Sequence, residues 1–209
     1  RAAAPEANQQ QLLADLLSGA ACEKEKQWAV DAPAVSSFLL EGEMESARKL
    51  KQALKEAEVS SRVFTQHDYF PIASTGSYFR AEFDPLNSSS RFSFFEKLTR
   101  DFQVVILSGF GAVNQNSEPV LLGRNASDFV AALISHLDRQ VEEVVYIKDV
   151  DGIYQDFHRP ERKLINMIER LDLLKQDTGQ VLDKRVLEVI SCDFFVTDKE
   201  MKNGTRVLI

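Results

Sequence analysis

The chain has 209 residues, of which 44% are hydrophobic and 27% are charged, values typical of a globular protein with a substantial core. Its 32 Asp and Glu outnumber its 25 Lys and Arg, so the net charge is −7, which argues against a nucleic-acid-binding protein because phosphate contacts need cations. Two cysteines and three scattered histidines exclude a disulfide scaffold and a four-cysteine zinc site, and we predict no metal site built by the protein's side chains.

The apolar runs are also too short for a membrane span, which needs roughly 20 residues. Residues 1–11 are rich in Ala and Gln and contain no apolar signal core. Cys22 and Cys192 lie in apolar stretches, where we expect buried free thiols, as in a reducing compartment. The composition therefore predicts a soluble, cytoplasmic protein without a membrane partner.

In chain order, the first half of the sequence predicts mainly helices. Repeating leucines predict a helix over residues 12–21, and Pro33 with two serines predicts a break over residues 31–36. A stripe that includes Met44 and Ala47 predicts an amphipathic helix over residues 43–58. A strand at residues 63–65, an irregular loop at 69–78 and a helix at 91–100 are expected to follow.

The second half alternates strands with helices. We predict strands at residues 103–107, 144–147, 193–196 and 206–209, and helices at 127–139 and 182–190. The run at 103–107 is nearly all apolar, which is typical of a strand buried on both faces. Such alternation predicts an α/β fold with a mainly parallel sheet sandwiched by helices. If the chain forms two lobes, the boundary falls near Asp101.

Glycines follow the first of these strands, at Gly109 and Gly111. Glycine at the carboxyl end of a strand lets backbone N–H groups approach a phosphate, and it also suits a tight turn. The spacing matches neither a dinucleotide-binding glycine motif nor a Walker A loop. A phosphate site and a plain turn both fit these residues.

A second candidate segment, residues 122–128, precedes the helix predicted at 127–139. Ser127 and Asp128 are suited to capping the helix. Capping does not account for Arg124, because its cation adds positive charge at the positive end of the helix dipole. Arg124 therefore suggests that an anion, a carboxylate or a phosphate, binds there.

The third candidate segment follows the strand at 144–147 and contains Asp149, Asp151 and Gly152. An Asp-x-Asp-Gly sequence occurs in calcium loops and in ordinary turns, but the remaining ligands of an EF-hand are absent. Because ligands collect at the carboxyl ends of parallel strands, three such loops in one half of the chain indicate a binding site more strongly than any one alone.

The order of these motifs resembles the amino acid kinase family, and within it the aspartokinases. The matching segments are residues 42–46, 79–82, 109–111, 122–129, 149–154, 179–182 and 204–205. The resemblance extends over residues 38–209. It implies the three-layer fold of that family, with residues 1–37 as a helical or irregular N-terminal part, 38–101 as the acceptor-binding lobe and 102–209 as the nucleotide-binding lobe.

The resemblance also implies phosphoryl transfer from ATP, with Mg²⁺, to the side-chain carboxylate of L-aspartate, and a possible homodimer. Ser127 and Asp128 would organise the catalytic centre. The implied substrate-binding residues are Glu43, Ser46, Arg80 and Arg124, and the implied nucleotide-binding residues are Gly109, Gly111, Asp149, Asp151, Gly152 and Tyr154.

The sequence also departs from the family pattern. Nothing matches the family's opening KFGGTS-like strand, whose lysine neutralises phosphate. Gln180 stands where the family has another lysine, and Ala126 where it usually has glycine. The chain ends at Ile209, where regulatory ACT domains begin in many aspartokinases, so we do not expect control through such domains.

Two alternatives to an aspartokinase follow from these departures. One is a non-catalytic module with the kinase fold that binds a nucleotide or an amino acid. The other is a kinase with a different acceptor, such as another amino acid, a carbamate or a nucleoside monophosphate. Glu43 together with residues 79–82 favours aspartate over those acceptors.

Overall fold

The computed structural model describes residues 32–155, 161–169 and 181–209. The helix predicted at 12–21, Cys22 and Gln180 lie outside these residues. The helices are α1 (Ala32–Glu56), α2 (Pro85–Thr99), α3 (Ala126–Leu137) and α4 (Val186–Val189), and the strands are β1 (Ser61–Phe64), β2 (Ser74–Gly76), β3 (Ala81–Phe83), β4 (Val104–Leu107), β5 (Gly111–Val113), β6 (Pro119–Leu121), β7 (Glu143–Lys148), β8 (Tyr154–Gln155), β9 (Lys163–Leu164), β10 (Met167–Ile168), β11 (Asp193–Asp198) and β12 (Gly204–Val207).

Parallel strand pairs join elements that are far apart in the sequence, as the predicted α/β class requires, although four of the seven pairs between described strands are antiparallel. β1 pairs with β4 in parallel, and β7 pairs with β11 in parallel. The second group extends through β12 to β10, with β12 antiparallel to β11 and parallel to β10. Three antiparallel hairpins, β2–β3, β5–β6 and β8–β9, complete the strands described.

Helix α1 differs from its prediction at its start. The expected break at 31–36 is wrong, because α1 already begins at Ala32. Pro33 is compatible with this start, since a proline in the first turn of a helix has no N–H that needs an intrahelical partner. Buried residues recur about every fourth position along α1, so one face packs inward. They are Ala32, Ser36, Leu40, Met44 and Ala47.

The predicted division of the chain stays a prediction. α1 runs through the proposed boundary at residues 37 and 38. β1 and β4 pair with each other although they lie on opposite sides of Asp101. The two predicted lobes therefore share at least this strand pair.

Helix α2 is longer than predicted, and α4 is shorter. Asp84 caps α2 by accepting a hydrogen bond from the backbone N–H of Asn87, and Pro85 occupies the first turn, a combination that favours helix initiation. The helix expected at 182–190 reduces to Val186–Val189. Asp183 accepts a hydrogen bond from the backbone N–H of Arg185 in the turn that comes before it.

Among the described residues, the core is divided into four clusters. The largest two lie around β7, β11 and α4, and around β5, β6 and α3. A third joins α1 to β6, and a fourth joins β1 to α2. In the fourth cluster Phe64 and Phe95 form an edge-to-face pair with ring centroids 5.0 Å apart. None of the helices described is long and apolar enough to cross a lipid bilayer.

Candidate active site

A cleft of about 480 Å³ separates the two parallel strand groups. Val105 and Leu107 of β4 line one side, and Val144 and Val145 of β7 line the other. Within the described ranges, β4 pairs only with β1 and β7 only with β11. The prediction that residues 103–107 are buried on both faces is only partly right, because Ile106 is buried in β4 while the other three residues of the strand are half-buried.

Three residues implied to be functional lie together at one end of this cleft. They are Glu43 from α1, Gly109 after β4 and Ser127 from the first turn of α3. A Cβ atom at Gly109 would lie 2.8 Å from Ser127 Oγ and 3.2 Å from Glu43 Oε2. Both polar side chains thus reach the same backbone position, although they are 84 residues apart in the sequence (127 − 43).

The turn that carries Gly109 is held by a buried glutamine. Gln66 Nε2 donates to the carbonyl of Ser108 over 3.1 Å, and Ser108 Oγ donates to Gln66 Oε1 over 2.7 Å. Both residues are almost fully buried, so these reciprocal bonds fix the turn where water does not compete. Sequence reasoning missed Gln66. Its only signal was its position directly after the predicted strand at 63–65.

Gly111 has a packing reason to be glycine. A Cβ there would lie 2.8 Å from both Leu40 Cδ2 and the carbonyl oxygen of Val120. No L side chain fits at that position without a shift of the β6 backbone or of α1. The role of Gly111 toward a phosphate stays a prediction, because this crowding alone explains the residue.

The residue that begins α3 differs from the expected caps, Ser127 and Asp128. The N-cap residue is Asn125, which has a left-handed backbone (φ 56°) and makes no side-chain cap hydrogen bond. Ser127 and Asp128 instead lie inside the first turn. An acidic residue in that turn is favourable, because its charge opposes the positive end of the helix dipole.

Asp128 forms an ion pair that sequence reasoning missed. Lys148 Nζ, at the end of β7, lies 2.7 Å from Asp128 Oδ1 and 2.5 Å from Oδ2. The two side chains are only 25% and 14% exposed. The hydroxyl of Tyr146 also donates to the backbone carbonyl of Asp128, at 3.3 Å. The position of Lys148, directly before the Asp149 motif, was a partial indication that it lies near the site.

A second cation, Arg185, organises the loop before α3. Its guanidinium donates to the carbonyls of Leu122 (2.5 Å) and Arg124 (3.1 Å) and to the carboxylate of Asp183. It also lies over the Phe129 ring, 4.5 Å from the centroid. Arg185 thereby fixes the backbone of the segment that carries Arg124, whose side chain is exposed. The sequence offers no signal for contacts across about sixty positions.

The loop after β7 is fixed mainly through its backbone. Gly152 is buried and has φ +148°, and a Cβ there would lie 2.7 Å from Thr205 Oγ1 and 3.0 Å from Thr205 N. The backbone N–H of Ile153 donates to Thr205 Oγ1 over 2.8 Å. Tyr154 donates its hydroxyl to Asp151 over 2.5 Å, and this bond raises the pKa of Tyr154. Asp149 is exposed.

Three of the four implied substrate-binding residues, Ser46, Arg80 and Arg124, lie outside the cleft lining. Ser46 is exposed on α1, where its hydroxyl donates to the carbonyl of Gly42 over 2.9 Å. Arg80 is exposed in the turn between β2 and β3. The structure thus brings together Glu43, Gly109 and Ser127. The other implied site residues do not line the same cleft: Ser46, Arg80, Gly111, Arg124, Asp128, Asp149, Asp151, Gly152 and Tyr154.

Comparison with known proteins agrees with the fold and the motif order. The profile of the amino acid kinase family matches residues 4–190, which is most of the chain. The chain belongs to the amino acid kinase family. The resemblance to that family inferred from the motifs is therefore confirmed.

The relatives that this amino acid kinase family member matches include aspartokinases. It is 29% identical to the aspartokinase of Rickettsia conorii over 188 residues, an alignment that covers 79% of this chain and 45% of the relative. It is 34% identical over 110 residues to the bifunctional aspartokinase/homoserine dehydrogenase of Haemophilus influenzae, covering 51% of this chain and 13% of the relative. The chain thus spans less than half the length of these relatives.

Solved structures show the same fold. Aspartokinase III of E. coli, in complex with aspartate and ADP, superimposes with a TM-score of 0.75 at 20% identity, covering 95% of this chain and 46% of that one. UMP kinase of Ureaplasma parvum superimposes with a TM-score of 0.53 at 15% identity, covering 90% and 77%. The predicted amino acid kinase-like fold is confirmed.

Proposed function

We propose that this chain carries out ATP-dependent phosphoryl transfer to the side-chain carboxylate of L-aspartate, giving 4-phosphoaspartate. The observation that carries the proposal is the convergence of Glu43 and Ser127 on Gly109 at one end of the cleft. An anionic side chain, a hydroxyl and half-buried backbone at one point suit an amino acid whose ammonium and carboxylate groups both need partners. The aspartokinases among its relatives support aspartate as the acceptor.

On the acceptor side, we assign Glu43 to the ammonium group of aspartate. Arg124 is assigned to one of its carboxylates, because a guanidinium binds a carboxylate through two parallel hydrogen bonds. Ser46 and Arg80 are exposed, and we keep them as outer contacts of the acceptor.

On the nucleotide side, the loop after β7 would receive ATP, through Asp149, Asp151, Gly152 and Tyr154. Gly109 and Gly111 lie in and directly after the turn that follows β4, and the transferred phosphate would pass beside Gly109. Ser127 and Asp128 lie in the first turn of α3, and we assign them to organise the catalytic centre between these two sides. Backbone N–H groups at a helix start stabilise negative charge there.

The reaction needs positioning and charge neutralisation more than a strong base. A carboxylate oxygen of aspartate forms the new bond to the γ-phosphorus. The bond from that phosphorus to the bridging oxygen breaks, and ADP leaves with the electron pair. No proton has to move, because the attacking carboxylate is already ionised at neutral pH.

The donor set is compatible with Mg²⁺ arriving together with ATP. No three His, Cys, Asp or Glu side chains cluster within the described ranges. Mg²⁺ often binds through one or two carboxylates together with substrate phosphates and water. Asp149, exposed beside the end of β7, is a suitable carboxylate. When bound, the ion neutralises charge on the phosphate oxygens.

The direct test is an aspartyl-hydroxamate assay with ATP and Mg²⁺, paired with measured affinities for ATP and aspartate. We expect aspartate-dependent turnover. Arg124→Ala should weaken aspartate binding by about tenfold, as expected for a lost charge-assisted contact, and should leave ATP binding nearly unchanged. Lys199→Ala, at an exposed lysine beyond β11, is the matched control.

The outcomes separate the proposal from its two alternatives. ATP binding without turnover on any acceptor would identify a non-catalytic module. Turnover with another amino acid, a carbamate or a nucleoside monophosphate, but not with aspartate, would identify a different acceptor. Equal losses of ATP and aspartate affinity in Arg124→Ala would contradict the role of Arg124. The cytoplasmic location and the homodimer stay predictions.

A further inference from the structure

We infer that Lys148 is the cation that binds the transferred phosphoryl group, and that Asp128 is the positioning residue that holds Lys148 in place. This inference rests on the proposed function and adds a residue to it. The motif resemblance assigns no role to Lys148. Lys148 Nζ forms an ion pair with both carboxylate oxygens of Asp128, and this pair is the main observation behind the assignment.

The position of Lys148 joins the two sides of the site. In the chain it is the last residue of β7 and directly precedes Asp149, the first residue of the proposed nucleotide loop. In space its ammonium group lies on the first turn of α3, beside the residue that follows Ser127. Phosphoryl transfer has to take place between the nucleotide and the acceptor, and Lys148 spans that interval.

The local charges favour an anion at this point. Lys148 and Arg124 lie near the N-terminus of α3, which is itself the positive end of the helix dipole. The carboxylate of Asp128 offsets only part of this charge. The Lys148 side chain is 75% covered, and its charge is maintained there by the ion pair with Asp128, since lysines are seldom buried without a partner.

The geometry leaves Lys148 able to donate further. An ammonium group has three hydrogens, and the bonds to the two oxygens of Asp128 use two of them. The side chain also keeps a quarter of its surface exposed, so a phosphate oxygen can approach it. Asp128 thus fixes the direction of Lys148 without covering it.

The alternative is that the ion pair between Lys148 and Asp128 is purely structural. The γ-phosphate of ATP distinguishes this alternative from a phosphate-binding role. ATP and ADP differ by that group, so a lysine that binds it affects ATP selectively. We expect Lys148→Met to weaken ATP binding by about tenfold, as for the loss of a charge-assisted hydrogen bond, and to change ADP binding by less than about twofold. Lys148→Arg should keep most of the ATP affinity, because it retains the positive charge.

The experiment is isothermal titration calorimetry of ATP and of ADP, each with Mg²⁺, on the full chain. The matched control is Lys202→Met, which removes a lysine from an exposed ion pair with Glu200. The double variant Lys148→Met/Asp128→Asn controls for folding, because it leaves no buried carboxylate unpaired. Circular dichroism and the melting temperature identify any variant that has lost its fold.

Selective loss of ATP affinity in Lys148→Met and in the folded double variant, with near-normal binding in Lys148→Arg, is the expected result. Equal losses for ATP and ADP, no loss, or a wild-type chain that binds ATP no more tightly than ADP would overturn the role of Lys148. In the aspartate assay we expect kcat to fall by about 100-fold, as for removal of a transition-state donor. If wild-type chain lacks aspartate turnover, the proposed function fails, while the ATP and ADP titrations still decide the role of Lys148.

Discussion

The loops that follow β4 and β7 both depend on a glycine, but for different physical reasons. Around Gly109 the crowding atoms all belong to side chains: Ser127 Oγ at 2.8 Å, Ser127 Cβ at 3.0 Å and Glu43 Oε2 at 3.2 Å from a Cβ. Around Gly152 they include the backbone N of Thr205, at 3.0 Å, and φ is +148°. The side-chain ends of Ser127 and Glu43 can rotate away from an added Cβ, whereas the backbone of Thr205 is held in β12. The loop after β4 is therefore suited to rearrangement around a ligand, and the loop after β7 to rigid support.

The largest expected effect concerns Gly152. Gly152→Ala adds a methyl group against backbone in a conformation that L residues rarely adopt, and we expect it to lower the free energy of unfolding by about 2–4 kcal/mol. Gly42→Ala is the matched control, because nothing lies within 4 Å of its Cβ. That change should stabilise α1 by about 0.5–1 kcal/mol. Urea unfolding measures both, and equal effects would contradict the comparison.

The next effect concerns the support of the β7 loop. Thr205→Val removes the hydroxyl that accepts from the N–H of Ile153 and donates to the carbonyl of Ile165. Because both backbone groups lose a buried partner, we expect a loss of about 1–3 kcal/mol. Thr99→Val, which removes an exposed hydrogen bond to Glu96, is the control. A loss no larger than in Thr99→Val would show that the loop does not need this support.

A smaller stability effect is expected in the loop after β4. Gly109→Ala should cost about 1 kcal/mol, because Ser127 Oγ and Glu43 Oε2 can rotate away and only Ser127 Cβ, at 3.0 Å, has to shift slightly. It should still raise the KM for aspartate, because both side chains are displaced. Gly109→Ala/Ser127→Ala should recover part of the lost stability, which a double-mutant cycle measures. A stability loss as large as that of Gly152→Ala would remove the difference between the loops.

The smallest effect lies outside both loops, at Glu118 in the β5–β6 turn. Hydrogen bonds from Asn114 and Tyr78 lower the pKa of Glu118 below its ordinary value of 4.5. The folded state therefore gains stability that is complete above pH 4.5 and is lost as the pH falls through the lowered pKa. Melting temperatures from pH 6 to 3 should fall less steeply for Glu118→Gln. Identical slopes would contradict this.

Sequence patterns predicted the elements whose stability is local. The amphipathic stripe through Met44 located most of α1, and the apolar run at 144–147 located β7 to within one residue at each end. The start of α1 was wrong because Pro33 indicates a break unless it lies in the first turn of a helix. The expected helix cap at Ser127 and Asp128 was wrong because Asn125 is the N-cap residue of α3.

The site was only partly predictable, for a related reason. Motif order identified Glu43, Gly109 and Ser127, which the fold brings together. It missed three supporting residues because their contacts join positions 20 to about 60 apart. They are Gln66 at the turn before Gly109, Lys148 at Asp128 and Arg185 at the loop before α3. Long-range hydrogen bonds of this kind leave no periodic signal in a single sequence.

The central claim is that the cleft end formed by Glu43, Gly109 and Ser127 receives the amino acid acceptor. The most direct measurement is the aspartate dependence of ADP release by the wild-type chain and by Glu43→Gln. The account predicts that ADP release requires aspartate, and that Glu43→Gln raises the KM for aspartate by about tenfold or more through loss of a charged contact, with the KM for ATP unchanged. An unchanged KM for aspartate, or ADP release that does not require aspartate, would contradict it.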